Sequence, residues 1–343
     1  MENVTFTPGL LQTLQVSNST PGPSLTRSYV VVSQVVRATW YVVIFVLGVA
    51  SNLLLLLALL HSLREGGASP LHSMTSLLIL NSVLADTIFV LYNVPLSFAQ
   101  SIWWDPRFIT AACISSQPVT SLVIFVSFYS MVANCVFRFL GVAHPTSSRG
   151  LRRWHMGLSL GVVWLASILT SLPVCFYIRV ADVNGTISCV QVMTKAQAIL
   201  YTILLGAVAF CPAVLLMVAL YSKMIHILWS RKGGGGNVRQ NKRATVMILT
   251  ALLAFIVMWI PFWVLIFVVA AAQELQSSPT LIFALGVLAL LASSNCFVNP
   301  LIYLILSPHY RRRLARMFGC GRLADRLGAT TQLETNPDTG ATT

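Results

Sequence analysis

WYVVIFVLGVASNLLLLLALL, from Trp40 to Leu60, contains no charged residue. A helix needs roughly 20 such residues to cross about 30 Å of hydrocarbon. Six further runs free of Lys, Arg and Glu follow: Met74 to Gln100, Phe108 to Phe137, Met156 to Tyr177, Ala196 to Ser222, Ala244 to Gln273 and Leu275 to Leu306. The last two are parted by Glu274 inside a polar, proline-containing break that reads as a loop. The whole chain of 343 residues is 56% hydrophobic and 9% charged, with mean hydropathy +0.79. That leaves too little polar surface for soluble domains of this total size. A membrane barrel would show alternating segments of about 10 residues. The expected fold is therefore an all-α membrane protein, a seven-transmembrane helix bundle over residues 40–306.

Charge sets the expected orientation. With the N-terminus outside, the external segments hold Arg27, Arg37, Arg107, Arg179 and Lys195, and the other 17 of the 22 basic residues fall inside. This is the positive-inside asymmetry of a protein with an external N-terminus and a cytoplasmic C-terminus. A net charge of +13 gathered beside seven spans faces anionic inner-leaflet lipid and cytosolic partners rather than nucleic acid. Residues 1–39 lack the layout of a signal peptide, so the first span is expected to serve as an uncleaved targeting element. This tail carries acceptor sequons at Asn3 and Asn18, and Asn184 begins a third after the fourth span. Residues 321–343 are polar and read as a disordered cytoplasmic tail whose threonines offer kinase sites.

Of seven cysteines, Cys135, Cys175, Cys211 and Cys296 sit in apolar runs and read as small buried hydrophobes. Cys113 and Cys189 both lie toward the oxidising side and are the two placed to form a disulfide. Cys320 follows an amphipathic stretch and is a candidate palmitoylation site. Asn184-Gly185, flanked by alternating residues from Tyr177 to Val192, predicts a β-hairpin in the second external loop. Asp86 is the one acid within the spans, and an intramembrane carboxylate is costly enough to mark a functional site. Its expected neighbours are Asn52, Ser127, Asn295 and Asn299, forming either a satisfied polar cluster or a cavity for sodium or water. Pro173, Pro212, Pro261 and Pro300 fall inside later spans, where they permit kinks.

Asn52, Leu84-Ala85-Asp86, Arg138 to Pro145, Trp164, Pro212, Phe255-x-x-x-Trp259-x-Pro261 and Asn299-Pro300-Leu301-Ile302-Tyr303 stand in an order and spacing that resembles the rhodopsin-like (class A) G-protein-coupled receptors. The resemblance runs from about Val42 to Phe318. It implies a ligand pocket on Gln117, Thr120, Ile124, Trp259 and Trp263, with Trp259 as its floor. It implies a sodium ion at Asp86, Ser127, Asn295 and Asn299, no other metal and no cofactor. Phe128, Pro212 and Phe255 would repack on activation, Asn299, Pro300 and Tyr303 would shift inward, and Arg138 would meet the G protein. Residues 307–320, with Tyr310, Leu314 and Phe318 at helical spacing, fit an amphipathic helix 8 on the inner membrane surface. Arrestin and receptor kinases are further implied partners. Two departures stand out. Phe137 replaces the acid that usually precedes the arginine, and Arg239 to Arg243 contain no acid, so raised basal activity or relaxed G-protein choice is expected. The tyrosine of the fifth span is one place late, with Leu220 at its position and Tyr221 next.

Thr120 replaces the acid of aminergic receptors, which argues against a small cationic amine. The outer loops, with Trp103-Trp104 and Pro95, resemble peptide receptors and within them the galanin group. A lipid- or small-molecule-activated receptor, or a constitutively active orphan, is the alternative. Gly157-Leu158-Ser159-Leu160-Gly161 spells a serine-hydrolase motif, but no histidine lies mid-membrane to activate the serine, and a small-residue packing face on the fourth helix is the simpler reading. A transporter would show inverted repeats, and none is evident. Not an enzyme, then, but a plasma-membrane glycoprotein receptor is expected.

Overall fold

In hydrocarbon every backbone N–H and C=O must be satisfied within the protein, so long apolar runs become helices. A computed structural model of the chain describes residues 4–8, 24–64, 70–102, 105–183, 186–230, 236–271 and 279–319. Within them, seven helical stretches are long and apolar enough to span a bilayer: Gln34–Arg64, Ser73–Gln100, Arg107–Ala143, Trp154–Tyr177, Ala196–Ser230, Thr245–Val269 and Phe283–Leu306.

The first span belongs to α1 (Ser24–Arg64), which begins well before Trp40, so part of the expected tail is helical. The second comprises α2 (Pro70–Ile88) and α3 (Val94–Ile102), joined by a π-helical turn at Phe89–Asn93. The third is α4 (Pro106–Ala143), started by Asp105, whose carboxylate accepts from the Arg107 amide at 2.9 Å. After the short α5 (Pro145–Arg149) comes the fourth, α6 (Arg153–Tyr177). The fifth joins α7 (Lys195–Ile203) to α8 (Cys211–Ser230) through a second π-helical stretch, Leu204–Phe210. The sixth is α9 (Gly236–Ala271), and the seventh divides into α10 (Pro279–Ser293) and α11 (Asn295–Leu306).

Both π stretches have the same cause. The ring of a helical proline clashes with the carbonyl four residues back, and a turn widened by one residue relieves it. Pro95 and Pro212 each follow such a turn directly. There the Val94 amide donates to the Phe89 carbonyl and the Cys211 amide to the Gly206 carbonyl. The break in the seventh span lies at Ser294, one turn and a half before Pro300. The Ser293 and Ser294 hydroxyls turn back to the carbonyls of Ala289 (2.8 Å) and Leu290 (2.9 Å).

The third span is the axis of the bundle, with α4 packed against α2, α6 and α8. The Asn81 amide donates to Ser130 Oγ (2.8 Å) and accepts from Trp164 Nε1 (3.2 Å), tying spans two, three and four together. Trp40 Nε1 donates to Ser294 Oγ (3.0 Å) and the Leu290 carbonyl (3.3 Å), tying the first to the seventh. Close crossings rest on glycine: a Cβ on Gly48 would lie 2.7 Å from Val90 Cγ2, and one on Gly206 would collide with the Phe267 ring. Gly157 and Gly161 behave otherwise. A Cβ on either would meet nothing within 4 Å, so the packing face expected on the fourth helix packs against no described residue. Cys135 and Cys296 are buried as expected, whereas Cys175 and Cys211 are exposed on the bundle's outer side.

At one end, β2 (Ile178–Val183) and β3 (Thr186–Thr194) pair antiparallel, with Val180 opposite Cys189, as the hairpin reading requires. A third strand, β1 (Val4–Pro8), adds to the free edge of β3. Nothing in the tail's composition had signalled it. At the other end, α12 (Pro308–Met317) turns Tyr310 and Ala315 inward. Phe318, expected on the same apolar face, caps the helix and is exposed.

Candidate functional site

Toward the sheet end, Gln117, Thr120 and Ile124 follow one another at spacings of three and four along α4. Gln117 and Thr120 are buried, and Ile124 packs on both hydrophobic clusters of the core. Trp259 and Trp263, one turn apart on α9, are buried as well. Rings connect them to the third and fifth spans: Trp259 lies 5.8 Å from Phe255, Phe255 lies 5.2 Å from Phe128, Phe128 lies 5.6 Å from Phe210, and Phe210 lies 5.4 Å from Trp263. Phe128 and Phe255 meet in this column. Pro212 does not join it: it is exposed on the bundle's outer side, and Phe210 lies against both Phe128 and Phe255. The widened turn ahead of Pro212 rotates Phe210 inward. Tyr201, one turn before that π stretch and 6.4 Å from Tyr177, lies on α7, which packs against α9. The Thr120 hydroxyl, the Tyr201 hydroxyl and the indole N–H groups of Trp259 and Trp263 are all buried without a hydrogen-bond partner.

Below the rings sits Asp86. The Ser127 hydroxyl is bonded to its carboxylate and lies 2.8 Å from Ser82 Oγ. Asn52 Nδ2 donates to the carbonyls of Gly48 (2.9 Å) and Cys296 (2.8 Å), which brings the first span against α11. Cys296 and Tyr303 lie within electrostatic reach of Asp86. Asn52 Oδ1, Asp86 Oδ2, Asn295 Oδ1 and Asn299 Oδ1 are buried and accept nothing. One carboxylate and three amide oxygens, left unsatisfied on the first, second and seventh spans, are the ligand type that a hard cation takes. These residues fit sodium.

At the α12 end, Arg138 is half-buried beside half-buried Phe137, and its Nε has no partner. Three buried tyrosines, Tyr221, Tyr303 and Tyr310, lie within electrostatic reach of its guanidinium. Tyr221 therefore does turn inward, while Leu220 stays at the edge of the core. Burial pushes the Tyr310 hydroxyl above its ordinary value, and Arg138 and Arg313 partly offset this. Pro300 is buried on α11 one turn before Tyr303. The side chains of Arg239, Gln240, Asn241 and Arg243 lie outside the described residues, but Lys242 Nζ stands 5.2 Å from the Trp229 ring and links α9 to α8. Arg313 Nε donates to His309 Nε2 (2.9 Å), and Arg313 also lies 3.2 Å from His61 Nδ1, pinning α12 to the end of α1.

Cys113 is fully buried and disulfide-bonded. Cys189 lies on β3, which packs on α4, and its side chain lies outside the described residues. So do Asn3, Asn18, Asn184, Trp103, Trp104, Cys320 and the tail beyond. Ser159 of the hydrolase-like run donates to the Met156 carbonyl of its own helix at 2.9 Å.

A family model described as 7 transmembrane receptor (rhodopsin family) matches residues 51–303. Galanin receptor 2a of Danio rerio is 26% identical over 298 residues, 84% of this chain and 79% of its own length. Galanin receptor type 3 of Homo sapiens is 29% identical over 291 residues, covering 82% and 78%. Somatostatin receptor type 1 of Rattus norvegicus is 26% identical over 286 residues, covering 81% and 70%. The family match begins just before Asn52 and ends on Tyr303, so it takes in the Asp86 cluster, Arg138 and the ring column. A multi-pass membrane protein of this construction, matched over most of its length, belongs to the rhodopsin family of seven-transmembrane receptors, and is a receptor rather than an enzyme.

Proposed function

We propose that this chain is a G-protein-coupled receptor of the plasma membrane, with its N-terminus and the three-stranded sheet outside, that binds an extracellular peptide and passes the signal to a heterotrimeric G protein. The observation that carries this reading is the ring column from Trp263 and Trp259 through Phe255 and Phe210 to Phe128. It joins the region of unpartnered polar groups near the sheet to the helix that bears Arg138. Close-packed rings shift between discrete arrangements rather than deform continuously, so a ligand pressing on the tryptophans biases the position of α9 against α4 and α8. The relatives named for galanin and somatostatin supply the peptide class.

In this reading Asp86, Ser127, Asn295 and Asn299, with Asn52, hold sodium in one arrangement; the ion supplies a positive charge that offsets the buried carboxylate. Arg138 receives the G protein. With Phe137 in place of an acid, Arg138 faces no adjacent carboxylate and only the polar neighbourhood of Tyr221, Tyr303 and Tyr310, a weaker restraint that raises basal activity. Cys113 pairs with Cys189, Asn3, Asn18 and Asn184 carry glycans, Cys320 is palmitoylated, and the C-terminal threonines serve receptor kinases and arrestin. The test is a G-protein dissociation screen in cells with a peptide library. A response is expected from the native chain and none from Arg138→Ala at equal surface expression; a response that survives that substitution overturns the coupling route.

A further inference from the structure

Four of the polar groups left unpartnered toward the sheet end are uncharged and able to donate a hydrogen bond. Thr120 and Tyr201 offer hydroxyls, and Trp259 and Trp263 offer indole N–H groups, which donate and never accept. All four side chains are at least nine-tenths buried. No charged side chain stands among them within the described residues. Asp105, Arg107 and Arg179 are exposed near the sheet end, and Arg179 turns back on the Ile178 carbonyl at 2.7 Å. Arg37 sits beside Tyr41 near the outer end of the first span. Asp86 lies further in: its partner Ser127 is seven residues beyond Thr120, about 10 Å along the helix. The side chains of Asp182, Lys195 and Glu274 fall outside the described residues, on the sheet, the first turn of α7 and the loop before α10.

A buried charge needs a counter-charge, and a buried donor needs an acceptor. From these two requirements we infer that the end of the ligand reaching Thr120, Tyr201, Trp259 and Trp263 is uncharged and carries hydrogen-bond acceptors: a capped peptide terminus or an internal turn, with amide carbonyls facing the indoles, and neither a free amine nor a free carboxylate. This rests on the peptide-receptor reading for the ligand's identity, and the neutrality of the buried end rests on the uncharged side chains described around it.

The probes are a peptide library made in two forms, with free termini and with acetylated N-termini plus C-terminal amides, alongside fatty-acid amides paired with their free acids. The readout is G-protein dissociation in cells expressing the full chain. The capped or amide member of each active pair is expected to be more potent by about tenfold or more, the scale on which a polar pocket rejects a mismatched group. Greater potency of a free-terminus or free-acid member overturns the inference. Responses confined to fatty amides uphold it while refuting the peptide reading; responses led by free-terminus peptides do the reverse. Thr120→Asp, checked for surface expression, should move preference toward the free-amine form, and an unchanged preference counts against the inference. Thr120→Val, which keeps the volume and removes the hydroxyl, should weaken capped probes by about tenfold without loss of surface expression; unaltered potency would remove Thr120 from the site.

Discussion

Phe210 shows how a residue can matter without a motif to announce it. The sequence points to Pro212, because proline in a spanning helix is conspicuous. The structure exposes that proline and stacks Phe210 between Phe128, Phe255 and Trp263. Only the added residue of the π turn brings Phe210 round, and a periodicity of 3.6 does not foresee it. Removing a buried phenylalanine costs roughly 3–5 kcal/mol. Phe210→Ala is therefore expected to lower the melting temperature of the purified receptor in detergent far more than Pro212→Gly, and to blunt agonist response at equal surface expression. Equal losses for the two would return the role to the proline. Asp86 and Asn299 stood out because each is a polar group that a bilayer tolerates only for cause, and Arg138 through the run from Arg138 to Pro145 that carries the family resemblance. Tyr221 was not, since its position one place late hid that it turns inward. Tyr310 keeps its proton: its raised value leaves the folded state favoured below about pH 10, with stability lost only as pH climbs through that higher value. Between pH 5 and 9 Tyr310→Phe should thus leave the slope of stability against pH unchanged.

At the scale of elements, the spans were readable from length and composition, and the hairpin from Asn184-Gly185. The interruptions were not. A helix broken at Ser294 or widened at Phe89–Asn93 keeps its apolar character, so hydropathy passes over it. The β1 strand lay hidden for the opposite reason, as five residues of polar tail whose partner is nearly two hundred positions away. Between α8 and α9, the Lys242 ammonium over Trp229 is a link that the acid-free sequence of Arg239 to Arg243 did not foretell. A partly exposed cation–π pair is worth about 0.5–1 kcal/mol, a factor of roughly 2–5 in a two-state equilibrium. Trp229→Leu is accordingly expected to raise basal G-protein dissociation by about that factor per receptor at the surface. A fall, or no change, would mean that the pair does not hold these helices together.

For the whole molecule, the prediction concerns the ion. Four buried oxygens without donors surround the junction of the first, second and seventh spans. A ligand that binds only the folded chain stabilises it in proportion to the logarithm of its concentration. Replacing choline chloride with sodium chloride at constant ionic strength should raise the melting temperature of the native receptor and leave Asp86→Asn unmoved. A shift of the same size in both would indicate a general salt effect.

The interruption at Ser294 makes α11 a lever whose fulcrum is bolted to the first helix by the Trp40 indole. Its arm of 12 residues is about 18 Å long. A tilt of about 10° at that fulcrum sweeps the far tip by about 3 Å. Asn295, next to the bolt, barely travels, Asn299 moves by about 1 Å, and Tyr303 is carried most of the way. One rod can thus draw Asn299 off an ion near its root and reposition a hydroxyl beside Arg138 toward its tip in a single stroke.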